Sequence, residues 1–157
     1  MCNAATLLWL VLLGPVSVLA QSMEPLNRGD MAGIRASFKG RPLVVHIWSL
    51  TCAPCLIELP LWAQRIRQNP GVAFVFINTD GKARADIAAR RLAASGVKPS
   101  RSLVYADDFI ERLQYEIAPD WLGELPRTEW ISGNGKSTSL LGPVSNIQFI
   151  QRLGSDR

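Results

Sequence analysis

Cysteine and histidine are scarce in this chain of 157 residues, which contains three cysteines and one histidine. Cys2 lies in an apolar N-terminal stretch, so the rest of the chain holds only Cys52, Cys55 and His46. A structural zinc site needs about four such ligands, so we expect neither a metal nor a cofactor. Basic runs interleaved with aromatic residues are also missing, and nucleic acid is therefore not an expected partner.

Charged residues are absent from the first twenty positions, and the usual Lys or Arg of a signal peptide is missing with them. A dense apolar run over residues 7–13 is followed by Gly14-Pro15, and the residues up to Ala20 fit a signal-peptidase site before Gln21. We expect residues 1–20 to be a cleaved signal peptide or an N-terminal membrane anchor. Either one places the folded domain outside the cytoplasm, in the periplasm or an equivalent compartment.

Charge is unevenly distributed along the exported part, and the net charge of the chain is +4. Residues 28–101 are basic, whereas residues 107–129 are acidic. The simpler interpretation is that these charges lie on solvated helix faces; the alternative is a basic surface that associates with a membrane or an acidic partner. Prominent basic residues are Arg65, Arg67, Lys82, Arg84, Arg90, Arg91 and Lys98.

Hydrophobic patterning predicts an α/β domain over residues 38–157, preceded by a lead-in segment over residues 21–37 with a short helix after Asp30. Strands alternate with helices at first, which implies parallel pairing, and a closing hairpin adds antiparallel strands. The expected architecture is a mixed sheet with helices on both faces. Strands are predicted over 43–48, 72–78, 103–105, 127–131 and 137–141, and helices over 52–68, 82–95, 108–115 and 145–153.

The sequence Cys52-Ala53-Pro54-Cys55 stands between a buried strand and a helix. The first turn of a helix carries unpaired N–H groups and partial positive charge, which stabilise a thiolate. Cys52 is expected to be the more exposed sulfur, and Cys55 the buried one. A structural disulfide across so short a loop would stabilise little, and a redox-inactive pair in a binding module is the other alternative.

Residues 44–60, with Glu58-Leu59-Pro60 after the second cysteine, resemble the active-site segment of the TlpA/ResA-like branch of the thioredoxin family. Residues 123–136 resemble the cis-proline strand and hairpin of the same family. The resemblance implies a thioredoxin-like fold and a redox-active disulfide, with Cys52 as the attacking thiolate and Cys55 as the resolving thiol. It also implies that Leu125 and Pro126, across a cis bond, dock the substrate.

Glu58 is similar to an acidic residue that influences thiol protonation in this branch, although a solvated helix residue is the plain alternative. His46 departs from the family pattern, because thioredoxins often carry a buried acid six residues before the first cysteine. A histidine there could relay a proton to or from Cys55. The alternative is a core histidine bonded to the backbone. Thr51 is a second departure, since the family usually has Trp there.

The resemblance implies an exported thiol–disulfide oxidoreductase, and its branch suggests a reductase active in cytochrome c maturation. The implied partners are a disulfide-containing exported protein and a membrane protein that donates or accepts electrons. A copper carrier or assembly factor on the same fold is an alternative, although such carriers usually space their cysteines by three residues. The remaining alternative is an interaction domain without redox activity.

Overall fold

The computed structural model describes residues 22–154. The predicted signal peptide or anchor at residues 1–20, its cleavage position before Gln21 and the last three residues lie outside the described residues. Within residues 22–154, none of the helices combines the length and the apolar character that crossing a bilayer requires.

Six strands and five helices make up the described part of the chain. The strands are β1 (Glu24–Leu26), β2 (Leu43–Trp48), β3 (Ala73–Asn78), β4 (Arg101–Tyr105), β5 (Arg127–Ile131) and β6 (Ser137–Leu141). The helices are α1 (Asp30–Ser37), α2 (Ala53–Gln68), α3 (Ala85–Ala94), α4 (Ile110–Ile117) and α5 (Asn146–Gly154), with a short 3-10 turn before α3.

The strands form one mixed sheet in the order β1-β4-β3-β2-β5-β6. The first four of these are parallel, whereas β5 pairs antiparallel with both β2 and β6. Strand β2 therefore lies between a parallel and an antiparallel neighbour. Its register places His46 beside Phe76 of β3 on one side and Thr128 of β5 on the other.

Hydrophobic clusters cover both faces of the sheet, because the central strands are buried throughout and present side chains alternately to each face. One cluster joins Val45 and Ile47 to Met31 of α1 and Leu113 of α4. The other contains Cys55 and lies under α2, α3 and α5. The predicted mixed sheet with helices on both faces is therefore confirmed.

Strand β1 was not predicted, because three residues are too few to show a periodic pattern. It lies inside the segment interpreted as a lead-in, where it pairs with β4 at the edge of the sheet, and α1 follows directly after it. The predicted capping box that opens the last helix is confirmed: Ser145 and Gln148 each accept a hydrogen bond from the backbone N–H of the other.

Candidate functional site

The two cysteines meet at the N-terminus of α2, where Cys52 is the N-cap and its Sγ accepts a hydrogen bond from the Cys55 N–H at 3.2 Å. A disulfide joins them, with their Cα atoms 5.2 Å apart. Cys52 is partly buried and Cys55 is fully buried, as the sequence predicts. Pro54 lies in the first turn, where its missing N–H removes no helical hydrogen bond.

The loop before Cys52 is fixed by Asp80, whose side chain is 5% exposed. The carboxylate accepts hydrogen bonds from the Leu50 N–H at 2.7 Å and from the Ser49 hydroxyl at 3.1 Å. It also accepts from the Asn78 amide at 2.7 Å, and Arg84 lies 3.3 Å from it. Asp80 therefore ties the loop after β2 to the loop after β3. Asp80 was not among the predicted site residues, although its position just beyond a buried parallel strand was the available signal.

Replacing Asp80 by alanine is expected to lower the free energy of unfolding by about 2–3 kcal/mol, because the buried Ser49 hydroxyl and the partly buried Leu50 N–H lose a charged acceptor. Urea unfolding followed by circular dichroism measures this change. Asp108→Ala is the matched control, since Asp108 is exposed and should change stability by less than about 0.5 kcal/mol. Equal stability of the two variants would mean that Asp80 does not hold the loop.

The peptide bond between Leu125 and Pro126 is cis, as predicted. Leu125 packs against the clusters on both faces of the sheet, and β5 begins directly after Pro126. Upstream, the Trp121 indole donates to the Glu124 carbonyl at 2.8 Å, and Gly123 turns the chain with a φ of +103°. A side chain at Gly123 would be strained at that φ and would also meet the amide of Gln114.

His46 and Glu58 face each other inside the cluster that contains Cys55, with His46 Nε2 3.3 Å from Glu58 Oε1. The other ring nitrogen, Nδ1, lies 3.0 Å from the Thr128 hydroxyl. Both side chains are almost fully excluded from solvent, at 0% exposed for His46 and 3% for Glu58. The alternative that Glu58 is a solvated helix residue is therefore wrong, and the side-chain partners of His46 are not backbone groups.

Burial controls the protonation of this pair. It lowers the pKa of His46 from 6.5 to about 3, and the charge of Arg65 acts in the same direction. Burial also raises the pKa of Glu58, against the opposing effects of the Val144 N–H and of Arg65. At neutral pH the imidazole is uncharged. The contact between His46 and Glu58 is therefore that of a neutral ring with a carboxyl group and not an ion pair.

Arg65 of α2 lies beside this pair and is 3% exposed. Its guanidinium stacks over Trp62 at 4.7 Å and over Phe149 at 5.0 Å, and it donates to the Val144 carbonyl at 2.6 Å. The same Val144 donates its N–H to Glu58 at 3.1 Å. Two side chains of α2, Arg65 and Glu58, thus hydrogen-bond the carbonyl and the N–H of Val144, a residue that precedes α5. Arg65 was predicted to lie on a solvated helix face, with a basic binding surface as the alternative, and both interpretations are wrong for this buried residue.

Chains of known structure share this architecture, although no family model matches the sequence. A secreted disulfide oxidoreductase of Mycobacterium tuberculosis homologous to E. coli DsbE superposes with a TM-score of 0.57 at 24% identity, over 76% of this chain and 85% of that one. A thioredoxin family thiol:disulfide interchange protein of Chlorobium tepidum gives 0.64 at 20% identity, over 77% and 83%. The chain has a thioredoxin-like fold.

A shorter sequence match supports the same assignment of the fold. Thioredoxin C-3 of Corynebacterium nephridii is 36% identical over 47 residues. The match covers 30% of this chain and 32% of that protein, so the chain spans about a third of this relative's length. StoA from Bacillus subtilis is a further structural neighbour, with a TM-score of 0.54 at 19% identity over 73% of this chain and 84% of StoA.

Proposed function

We propose that this chain is a thiol–disulfide oxidoreductase in which Cys52 and Cys55 carry out the exchange. The observation behind this proposal is the position of the disulfide, at the N-terminus of a helix in a thioredoxin-like fold, with one sulfur partly accessible and the other buried. A disulfide that served stability alone would gain little from closing a loop of this length.

In the reducing direction, the Cys52 thiolate attacks one sulfur of a substrate disulfide. The substrate S–S bond breaks, its second sulfur leaves as a thiolate that takes a proton, and a mixed disulfide joins Cys52 to the substrate. Cys55 then loses its proton and attacks the Cys52 sulfur. This step releases the second substrate thiolate and closes the Cys52–Cys55 disulfide, so two electrons have passed from the dithiol to the substrate.

Glu58 and His46 modulate the resolving step. Glu58 lies one helical turn after Cys55 and is buried with it, so its carboxylate is a base on the same helix face as the Cys55 thiol. The raised pKa of Glu58 makes it a better proton acceptor than an exposed glutamate, whereas the lowered pKa of His46 makes an imidazolium unfavourable. The negative charge of Glu58 also disfavours a thiolate at Cys55 until the proton has moved.

Substrate proteins dock on the face that carries Cys52, Leu125 and Pro126, and we place the domain outside the cytoplasm, behind a signal peptide or anchor. The finer assignment is a reductase of the TlpA/ResA-like branch that acts on exported proteins during cytochrome c maturation. A membrane protein would supply or remove its electrons. The structural similarity to the secreted Mycobacterium tuberculosis oxidoreductase homologous to E. coli DsbE supports this assignment.

Three experiments test the proposed function. With a chemical reductant present, the protein is expected to accelerate the reduction of insulin, and a redox titration of the Cys52/Cys55 pair decides the direction. A copper titration tests the carrier alternative, which the structure disfavours because His46 is fully buried between Trp62 and Phe76. Absence of insulin reduction together with tight copper binding would replace the proposal by that alternative.

Two exposed apolar side chains flank the docking segments. Ile57 in the first turns of α2 is 77% exposed, and Leu122, in the loop before Leu125, is 85% exposed. We expect Ile57→Ser and Leu122→Ser to raise the KM for a protein disulfide by about 3–10-fold each, through loss of apolar contact worth about 1 kcal/mol. The reaction with a small disulfide should not change.

The matched control is Ile147→Ser on α5, since Ile147 is 70% exposed and lies outside both docking segments. Steady-state kinetics with insulin and with oxidised glutathione separate the two effects. If the control raises the KM for insulin as much as the other two substitutions, the docking face does not lie at Ile57 and Leu122.

A further inference from the structure

We propose that Thr128 is a positioning residue that acts through His46, and that its hydroxyl allows the imidazole to exchange tautomers when the His46–Glu58 pair gains a proton. The inference deepens the proposed function. It rests on that function only in taking Cys55 as the source of the proton. It assigns a role to a residue of β5 that lies two positions after Pro126.

The geometry gives each ring nitrogen of His46 one polar neighbour. Nδ1 hydrogen-bonds the Thr128 hydroxyl at 3.0 Å. Nε2 lies 3.3 Å from Glu58 Oε1, and these two buried atoms form no hydrogen bond with each other or with any other group among the described residues. Thr128 and His46 are both 0% exposed. Trp62 and Phe76 lie against the ring, with centroids 4.6 and 5.1 Å away, so the imidazole is held in one orientation between its two partners.

The hydrogen-bond roles follow from the number of protons on the pair. With Glu58 as a carboxylate, a small rotation of its side chain lets Nε2–H donate to Oε1, so Nδ1 is bare and accepts from the Thr128 hydroxyl. When Glu58 is protonated, its O–H donates to Nε2, so the imidazole proton must be on Nδ1 and donate to Thr128. The hydroxyl is a donor in the first state and an acceptor in the second, which a purely donating or accepting group could not provide.

This exchange avoids a buried imidazolium, because the ring carries one proton in both states. The charged and titratable groups around the pair support that outcome. Arg65 of α2 favours the carboxylate and disfavours an imidazolium, and Cys55, when reduced, adds a thiol one turn before Glu58. The side chain that reaches the ring from β3 is Phe76, which does not titrate; α5 brings Arg152, which lies over Trp130 of β5.

During resolution the Cys55 proton would pass to Glu58, and His46 would move its own proton from Nε2 to Nδ1. Thr128 would then turn its hydroxyl from donor to acceptor. In this rearrangement the Cys55 S–H bond breaks, one proton is added to the buried pair, and the Cys55 thiolate that remains attacks the Cys52 sulfur. Thr128 contacts neither cysteine nor substrate in this scheme and acts only by keeping both tautomers hydrogen-bonded.

The chain contains a single histidine, so ¹⁵N-labelled histidine gives one unambiguous pair of nitrogen resonances. We expect NMR of the oxidised full chain between about pH 4 and pH 8 to show the proton on Nε2 at high pH and on Nδ1 at low pH. Thr128→Ser keeps the hydroxyl and should retain the exchange. Glu58→Gln cannot gain the proton and should show one tautomer throughout.

Thr128→Val has nearly the same shape but lacks the hydroxyl, so Nδ1–H of the protonated pair becomes a buried donor without an acceptor. In the unprotonated pair Nδ1 also loses its donor, but an unpaired buried N–H is tolerated less well than an unpaired acceptor, so the midpoint of the exchange should fall by up to about one pH unit relative to wild type. A proton that stays on one nitrogen throughout, an imidazolium formed at the midpoint, or a Thr128→Val midpoint equal to that of wild type would each overturn the inference. If Thr128→Val does not fold, wild type and Glu58→Gln still decide the exchange, and Thr128→Asn, whose amide can also donate and accept, tests the position.

The outcome is independent of catalysis, because the oxidised protein performs no exchange during the titration. A protein that shows the tautomer exchange but does not reduce insulin supports the role of Thr128 and refutes the proposed function. A protein that reduces insulin but shows no tautomer exchange supports the proposed function and refutes the role of Thr128.

Discussion

Replacing Cys55 by serine is expected to trap substrate proteins as mixed disulfides on Cys52, because the thiol that resolves them is gone. Cys52 caps α2 and is partly accessible, so its thiolate can still attack. Replacing Cys52 by serine leaves only Cys55, which is 0% exposed. Since burial blocks access to this sulfur, we expect on the order of tenfold less trapping by this variant.

Non-reducing gels of an extracytoplasmic extract, incubated with each purified variant, measure the trapped species. The double variant with both cysteines replaced is the control for non-covalent retention, and addition of dithiothreitol should release every trapped band. Both single variants should have lost insulin reduction. Equal trapping by the two would mean that the attacking and resolving roles are wrongly assigned.

Acidification is expected to destabilise the protein through His46. The pKa of this group is about 3 in the folded state and 6.5 in the unfolded state, so the unfolded chain binds more protons between these values. The stabilising contribution is fully present above pH 6.5 and is lost as the pH falls toward 3. Between pH 7 and pH 4 the loss is about 3 kcal/mol, a large part of the stability of an ordinary domain.

Glu58 acts in the opposite direction, because its folded-state pKa is raised. Its contribution favours folding below the unfolded-state value of 4.5 and is lost as the pH rises through the folded-state value. Chemical denaturation at a series of pH values measures the sum of these effects. His46→Gln keeps a donor and an acceptor but removes the titration, so its stability profile should be flatter than that of wild type. Parallel profiles for the two proteins would contradict the assignment of the acid destabilisation to His46.

The sequence was sufficient for the architecture, because the buried strands are nearly continuous apolar runs and the turns between them carry clear signals. The ranges predicted for β2, β5 and β6 are those observed. The pair at Cys52 and Cys55 was also predictable, since the position of the motif between a strand and a helix determines its environment. The cis bond before Pro126 followed from the family resemblance.

The polar partners inside the domain could not be predicted, because each depends on side chains far apart in the sequence. Glu58 meets His46 only because α2 packs across β2, and Thr128 meets His46 only through the register of β5. Arg65 carries a charge, which in a helix usually indicates a solvated face, and here two aromatic rings cover it. Asp80 was missed for the same reason, since its partners lie in another loop.

The hydrogen bonds between two side chains of α2 and the backbone of Val144 have a consequence for synthesis of the chain. Glu58 and Arg65 precede Val144 by 86 and 79 residues, so both charges leave the ribosome long before their common partner. At about 5–20 residues per second, α2 remains without its final contacts for several seconds. Contacts of such sequence separation also slow folding. Helix α5 should therefore pack late in folding, and a nascent chain that ends before Val144 should expose the face of α2 to chaperones.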